Sequence, residues 1–307
     1  MDVDLFLYIL FRVTPAIVHS FGIYSLLAAQ YYRGRNKVQF ILLFWLSLVE
    51  ISLNVSKIII KITLPDYPKF TFVLQVIRSG FLVTQFCTTM VTMTIDRLVF
   101  IRRNIKYNTF NALKLVKTLL FGSFVLSLGV TLTFAFMYKT KTEAHATTSL
   151  YLWPTVNVII LTVFVVSYTM IKLTIRSRCK IFNRSESRVY RGKVRREMKV
   201  PLLIVSSFIL LLMSVDLLHI IQKSIGFELP SAVSMMLTVQ ICTAYSLDAV
   251  FYVFFCQPIR KMWKRKLRSI SCCSKEKRYR EAGHTMRSTI KGTIQHSPSV
   301  KSSEIRG

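Results

Sequence analysis

"FTFVLQVIRSGFLVTQFCTTMVTMTIDRLVFI", residues 70–101, decides what kind of protein this is. Between Phe70 and Ile95 the only charge is Arg78; then Asp96 and Arg97 stand together, apolar residues resume, and Arg102 and Arg103 follow. A helix crossing about 30 Å of hydrocarbon takes roughly 20 apolar residues, and this run is long enough. Further runs span about 5–30, 38–62, 115–138, 150–175, 199–223 and 231–256. The chain has 307 residues, is 52% hydrophobic and has mean hydropathy +0.44. It reads as an all-α membrane protein, a seven-transmembrane helix bundle. Charges inside the runs must then face protein or water rather than lipid.

A net charge of +28 would suit a nucleic-acid binder were it not so unevenly placed. Of 42 Lys and Arg, three lie at Arg33, Arg35 and Lys37 and five between Arg102 and Lys117. Eleven more lie between Lys172 and Lys199, and fourteen follow Pro258. Seven crossings put all of these on one side. The other side carries Lys69, Lys139, Lys141 and Lys223 against Asp2, Asp4, Asp66, Glu143 and Glu228. The positive-inside rule then predicts an extracellular N-terminus and a cytoplasmic C-terminus in the plasma membrane. The basic loops face anionic inner-leaflet lipids and an acidic partner, not nucleic acid.

The N-terminal Met1-Asp-Val-Asp lacks the basic region of a signal peptide, so the first run reads as a retained span. None of the six cysteines falls in an expected external loop, and no disulfide or metal-ligand spacing is expected. The segment "RSRCKIFNRSESRVYRGKVRREM", 176–198, reads as the longest internal connection. After residues 1–256, the stretch 257–270 reads as an amphipathic membrane-surface helix. In it Ile259, Met262, Trp263, Leu267 and Ile270 recur at helical spacing among Lys and Arg. Cys272 and Cys273 follow, placed either for palmitoylation or as two unmodified surface thiols. Residues 271–307 read as a disordered basic tail whose Ser and Thr residues offer phosphorylation sites and a docking element for arrestin.

Several positions, in order, resemble the rhodopsin-like (class A) G-protein-coupled receptors. "DRLVFIRRNIKY" is similar to that family's Asp-Arg-Tyr with a downstream tyrosine; Leu98 stands for the usual Tyr and Asn104 for Pro. "LDAVFYVFFCQPIRKMW" is similar to the seventh-span Asn/Asp-Pro-x-x-Tyr motif and eighth helix, with Asp248 and Tyr252 in place and Ala249 for proline. Glu50 matches the second-span acid and Tyr168 the fifth-span tyrosine. Departures are Ile23 for Asn, no fourth-span Trp, Ile160 for the fifth-span Pro and no sixth-span Trp-x-Pro, Pro201 being near the cytoplasmic end. Phe72 stands where a cysteine is usual. The pattern is that of a divergent member with some similarity to melanocortin and lipid-type receptors.

The resemblance implies a switch built from Asp96, Arg97, Tyr168, Glu197 and Tyr252 that couples an extracellular small molecule, peptide or lipid to a heterotrimeric G protein. Arg97 cannot lose its proton and must always have a partner: Asp96 and Glu197 at rest, then the G protein, Tyr168 and Tyr252 once the sixth span swings out. Phe100 and Ile101 are expected to be open to that partner. Glu50, Asn54 and Asp248 form an internal polar network, either around a sodium ion or with Glu50 protonated. Lys57, Arg78 and Asp216 mark a ligand pocket; Lys57 and Lys61 share a helix face, and such bases attract a carboxylate or phosphate. Lys61 instead suits snorkelling to interface water. Ser79 stands where amine receptors carry an aspartate, which disfavours a monoamine, and Cys242 stands where opsins carry the retinal lysine. Nothing marks an enzyme: there is no paired catalytic acid, zinc motif or activated nucleophile. The alternative is a polytopic transporter or channel lined by Glu50, Asp248, Asp216 and Lys57, although no repeated halves are visible.

Overall fold

The computed structural model describes residues 3–30, 37–63, 66–103, 109–139, 144–181, 184–226 and 230–269; side chains at some positions within these, Glu197 and Asp216 among them, are outside the description. Every long element is helical. α1 (Val3–Ala28) and α2 (Lys37–Thr63) are followed by α3 (Pro68–Val76), a π-helical segment Ile77–Leu82 and α4 (Val83–Arg103), which run on as one apolar span. Then come α5 (Thr109–Lys139), α6 (Ala144–Ile181), α7 (Arg184–Ile225) and α8 (Ser231–Phe255). Among the described residues, six helices are long and apolar enough to cross a membrane, and α7 carries a shorter apolar stretch, Lys199–Leu211. The chain is an all-α, multi-pass membrane protein.

Solvation explains the distribution of side chains. Phe121, Leu132, Phe136, Leu210 and Met236 are each at least 70% exposed, whereas Arg12, His19, Glu50, Asn54, Gln85, Asp96, Arg97 and Asp248 are all buried. Apolar residues outside and charges inside is the pattern that lipid imposes, since only the bundle interior can satisfy a charge. Hydroxyls on the outer faces bond back into their own helix, as Thr133 does to the Gly129 carbonyl and Thr162 to the Val158 carbonyl.

α1 lies against α2 and α8, α8 against α7, and α7 against α6. α4 packs on α2, α5, α6 and α7, so its side chains reach most of the bundle. The described residues of 176–198, expected as a connection, are helical instead: α6 continues to Ile181 and α7 begins at Arg184. Lys, Arg and Glu are good helix formers, and Tyr190 and Val194, four apart, bury against Ile101 and Ile171. These extensions also overturn the expectation for Ile101. It is 1% exposed within that cluster, and Phe100 packs on the cluster's edge.

Met1–Ile259 forms one compact unit, and Arg260–Gly307 forms a second, described only to residue 269 and helical there. In the second unit the Lys266 ammonium lies 5.5 Å from the Trp263 ring centre. Ile270, Cys272, Cys273 and the tail beyond lie outside the described residues, as do Asn104 and Tyr107.

Candidate functional site

Three polar groupings follow one another through the bundle. At the α4 C-terminal end, Arg97 donates from Nε to Asp96 Oδ2 at 3.0 Å and from Nη2 to the same oxygen, with both residues buried. The guanidinium also lies 5.3 Å from the Phe100 ring centre. Arg97 borders two small cavities. One is shared with Phe164, Ser167 and Tyr168 of α6, the other with Gln39 and Leu42 of α2, and Pro201 of α7 closes both. A proline in a helix interior leaves the carbonyl four residues earlier without its bond, so α7 is locally weakened beside Arg97. Lys199 Nζ, two residues away, sits 3.8 Å from the Phe255 ring centre and fastens α7 to α8.

Of the expected switch residues, Arg97 is thus joined to Asp96 and shares a cavity with Tyr168. Tyr252 is elsewhere. Ser47 Oγ gives its one hydrogen to the Leu43 carbonyl at 2.9 Å, so at the 2.9 Å Ser47 to Tyr252 contact the phenol is the donor. The Tyr252 ring end also lies against the α carbon of Gly22. A methyl group there would occupy the space of the phenol. Gly22→Ala should therefore expel Tyr252, break its bond to Ser47 and cost about 1–3 kcal/mol, seen as a lower Tm of the purified protein. The side chain of Glu197 lies outside the described residues.

The second grouping is a knot at mid-bundle. The Nε2 of His19, on α1, lies 2.6 Å from the Tyr245 carbonyl of α8 and against Oε2 of Glu50 on α2. A carbonyl only accepts, so Nε2 carries the hydrogen, and Glu50 competes for it. The Asp248 carboxyl is the other neighbour of Glu50. Neither Glu50 oxygen has a well-aligned hydrogen-bond donor. Ser207 has one hydrogen for two acceptors, the Ile204 carbonyl at 2.8 Å and Asp248 Oδ1 at 3.3 Å. The nearer carbonyl takes it, an arrangement that a protonated Asp248 completes by donating to Ser207. Nearby on α4, Gln85 Oε1 accepts from Trp45 Nε1 at 3.2 Å and from Ser123 Oγ at 3.0 Å, joining α2, α4 and α5. A sodium ion fits poorly at Glu50 and Asp248, because the His19 imidazole already stands at Oε2. Among the described residues no group of three or more His, Cys, Asp or Glu side chains is arranged to hold a metal.

The third grouping lies toward the other end of the bundle. Arg12 donates from Nη1 to Asn54 Oδ1 at 3.3 Å, while Asn54 Nδ2 donates to the Glu50 carbonyl at 2.9 Å. Lys57 and Arg78 lie within electrostatic reach of each other and of Arg12. Lys61 is exposed, as snorkelling requires. The Asp216 side chain lies outside the described residues.

Sequence reasoning passed over Arg12, His19 and Gln85. The first two had a readable signal: 12 and 19 are seven apart, two turns of one helix, and therefore share a face. No protein-family model matches the chain, and no curated protein matches it.

Proposed function

We propose that the chain is a receptor of the rhodopsin-like G-protein-coupled type, with α7 as a seventh crossing and with the N-terminus outside the cell. The observation that carries this reading is Arg97, a permanent cation buried beside Asp96 where α2, α4, α6 and α7 meet. At rest the ion pair is complete within α4. Swinging α7 about Pro201 opens the two cavities that flank Arg97 and offers its guanidinium to a heterotrimeric G protein, with Tyr168 at the rim. An extracellular ligand drives the change by binding better to the open arrangement than to the closed one. The knot of His19, Glu50 and Asp248 lies between the two ends and links α1, α2, α7 and α8. Anionic inner-leaflet lipids, arrestin on the tail and palmitate at Cys272 and Cys273 complete the proposed partners.

Guanine-nucleotide exchange by G proteins co-reconstituted with the full chain tests the proposal. Arg97→Ala should change the exchange rate by about tenfold or more while leaving the helical content intact. An exchange rate indifferent to Arg97, together with ion current or solute uptake in vesicles, would instead support a channel or transporter.

A further inference from the structure

Arg12, Lys57 and Arg78 come from α1, α2 and the π-helical segment, yet lie close enough to repel one another. Arg12 is 2% exposed. Its visible partners are all neutral: the Asn54 side-chain oxygen at 3.3 Å and the Tyr8 ring, whose centre is 5.7 Å from the guanidinium carbon. The Nε atoms of Arg12 and Arg78 are buried with no hydrogen-bond partner. Among the described residues no carboxylate forms an ion pair with any of the three bases; the two ion pairs present are His19 with Glu50 and Asp96 with Arg97.

Position makes this arrangement costly. At 1.5 Å per residue, Lys57 lies about 9 Å inside the end of its helix, Arg12 about 14 Å and Arg78 about 15 Å. Two guanidinium groups, which cannot lose their protons, do not remain at such depth without a counter-charge, and a protonated Lys57 beside them raises the need. The third base sits on an irregular stretch of backbone. A π-turn adds a residue to one helical turn, rotates what precedes it, and occurs preferentially at functional sites; here it covers Ile77–Leu82 and contains Arg78. The segment is held where it is by Gly80, whose α carbon packs directly on the Thr131 backbone of α5.

We infer that Arg12, Lys57 and Arg78 form the binding site for an oxyanion, the carboxylate or phosphate group of the molecule this protein recognises. The two free Nε–H groups supply directed donors, the Lys57 ammonium adds charge, and the Tyr8 ring lies by Arg12. Guanidinium groups suit this chemistry because their fixed donors match carboxylate and phosphate oxygens. As the class of the receptor's ligand, the inference rests on the receptor reading; binding itself can be measured without any signalling.

The experiment is thermal unfolding of the full chain in phosphatidylcholine nanodiscs, with chloride replaced at equal ionic strength by inorganic phosphate or by formate. A parallel set uses discs doped with phosphatidic acid. Saturating oxyanion should raise Tm by about 5 °C or more. A gain from soluble anions assigns a water-soluble ligand; a gain from phosphatidic acid alone assigns a lipid headgroup. The gain should vanish in Arg12→Gln and, should that variant not fold, in Arg78→Gln and Lys57→Gln. Equal melting in chloride, phosphate, formate and doped discs overturns the inference, as does a gain that survives all three substitutions. A gain that appears only in Asp216→Asn also overturns it, by identifying Asp216 as the built-in counter-charge. If oxyanions stabilise the protein but G-protein exchange is insensitive to Arg97, the receptor reading fails and the anion site stands.

Discussion

Glu50→Ala should lower the stability of the folded bundle by about 3–5 kcal/mol, because it removes one side of a wholly buried pair and leaves His19 and Asp248 facing the space it vacates. Glu50→Gln should cost far less, about 1 kcal/mol, since the amide fills the same space and keeps a polar group against His19 Nε2. The comparison separates two states of the knot. If the carboxyls are neutral, amide replacements of Glu50 and Asp248 are tolerated, and Tm is the same in sodium as in potassium. If they hold a cation, sodium raises Tm and Glu50→Gln abolishes the rise. The His19 imidazole at Glu50 favours the first outcome, and a sodium-specific increase would overturn it. The pair should also be strongly coupled: His19→Leu with Glu50→Leu should cost less than the two single changes added together.

How much of this was legible in the sequence depends on which force sets each feature. Six of the seven spans were, because hydrocarbon thickness fixes how many apolar residues a helix needs; the expected run 199–223 is matched only by a shorter apolar stretch, Lys199–Leu211. Glu50, Asp248, Asp96 and Arg97 were conspicuous because a charge in such a run is expensive. Arg12 and His19 escaped because a single polar residue in a span looks like a tolerated exception until its partner on another helix is known. Ile101 was misread for a different reason. Apolar periodicity marks where lipid ends, not where helices end, and α6 and α7 continue through polar sequence to cover it. The π-turn left no trace in residue types. Ile77–Leu82 would read equally well as regular helix, and its geometry depends on what Gly80 touches.

That dependence makes Gly80→Ala the second large effect. The added methyl would stand 2.6 Å from Thr131 Cα, a backbone atom that no rotamer change can move. Either α5 retreats or the π-turn relaxes, and overpacking of this kind costs about 1–3 kcal/mol. The informative result is the loss of the oxyanion-dependent rise in Tm, although Arg12, Lys57 and Arg78 remain unaltered. Gly129→Ala, on a part of α5 where the methyl meets nothing, should leave both stability and the oxyanion effect as they were.

α8 contributes Tyr245, Asp248 and Tyr252 at successive turns of one face. Each is fastened to a different neighbour: the Tyr245 carbonyl to His19, Asp248 to Ser207 and Tyr252 to Ser47. The helix is therefore keyed like a cog with three teeth in three separate slots. Turning it by one residue, about 100°, withdraws every tooth together, and smaller rotations leave buried polar groups facing apolar walls. Intermediate positions are penalised, so α8 should click between discrete settings rather than drift, and a weak stimulus should change how often it clicks rather than how far it turns.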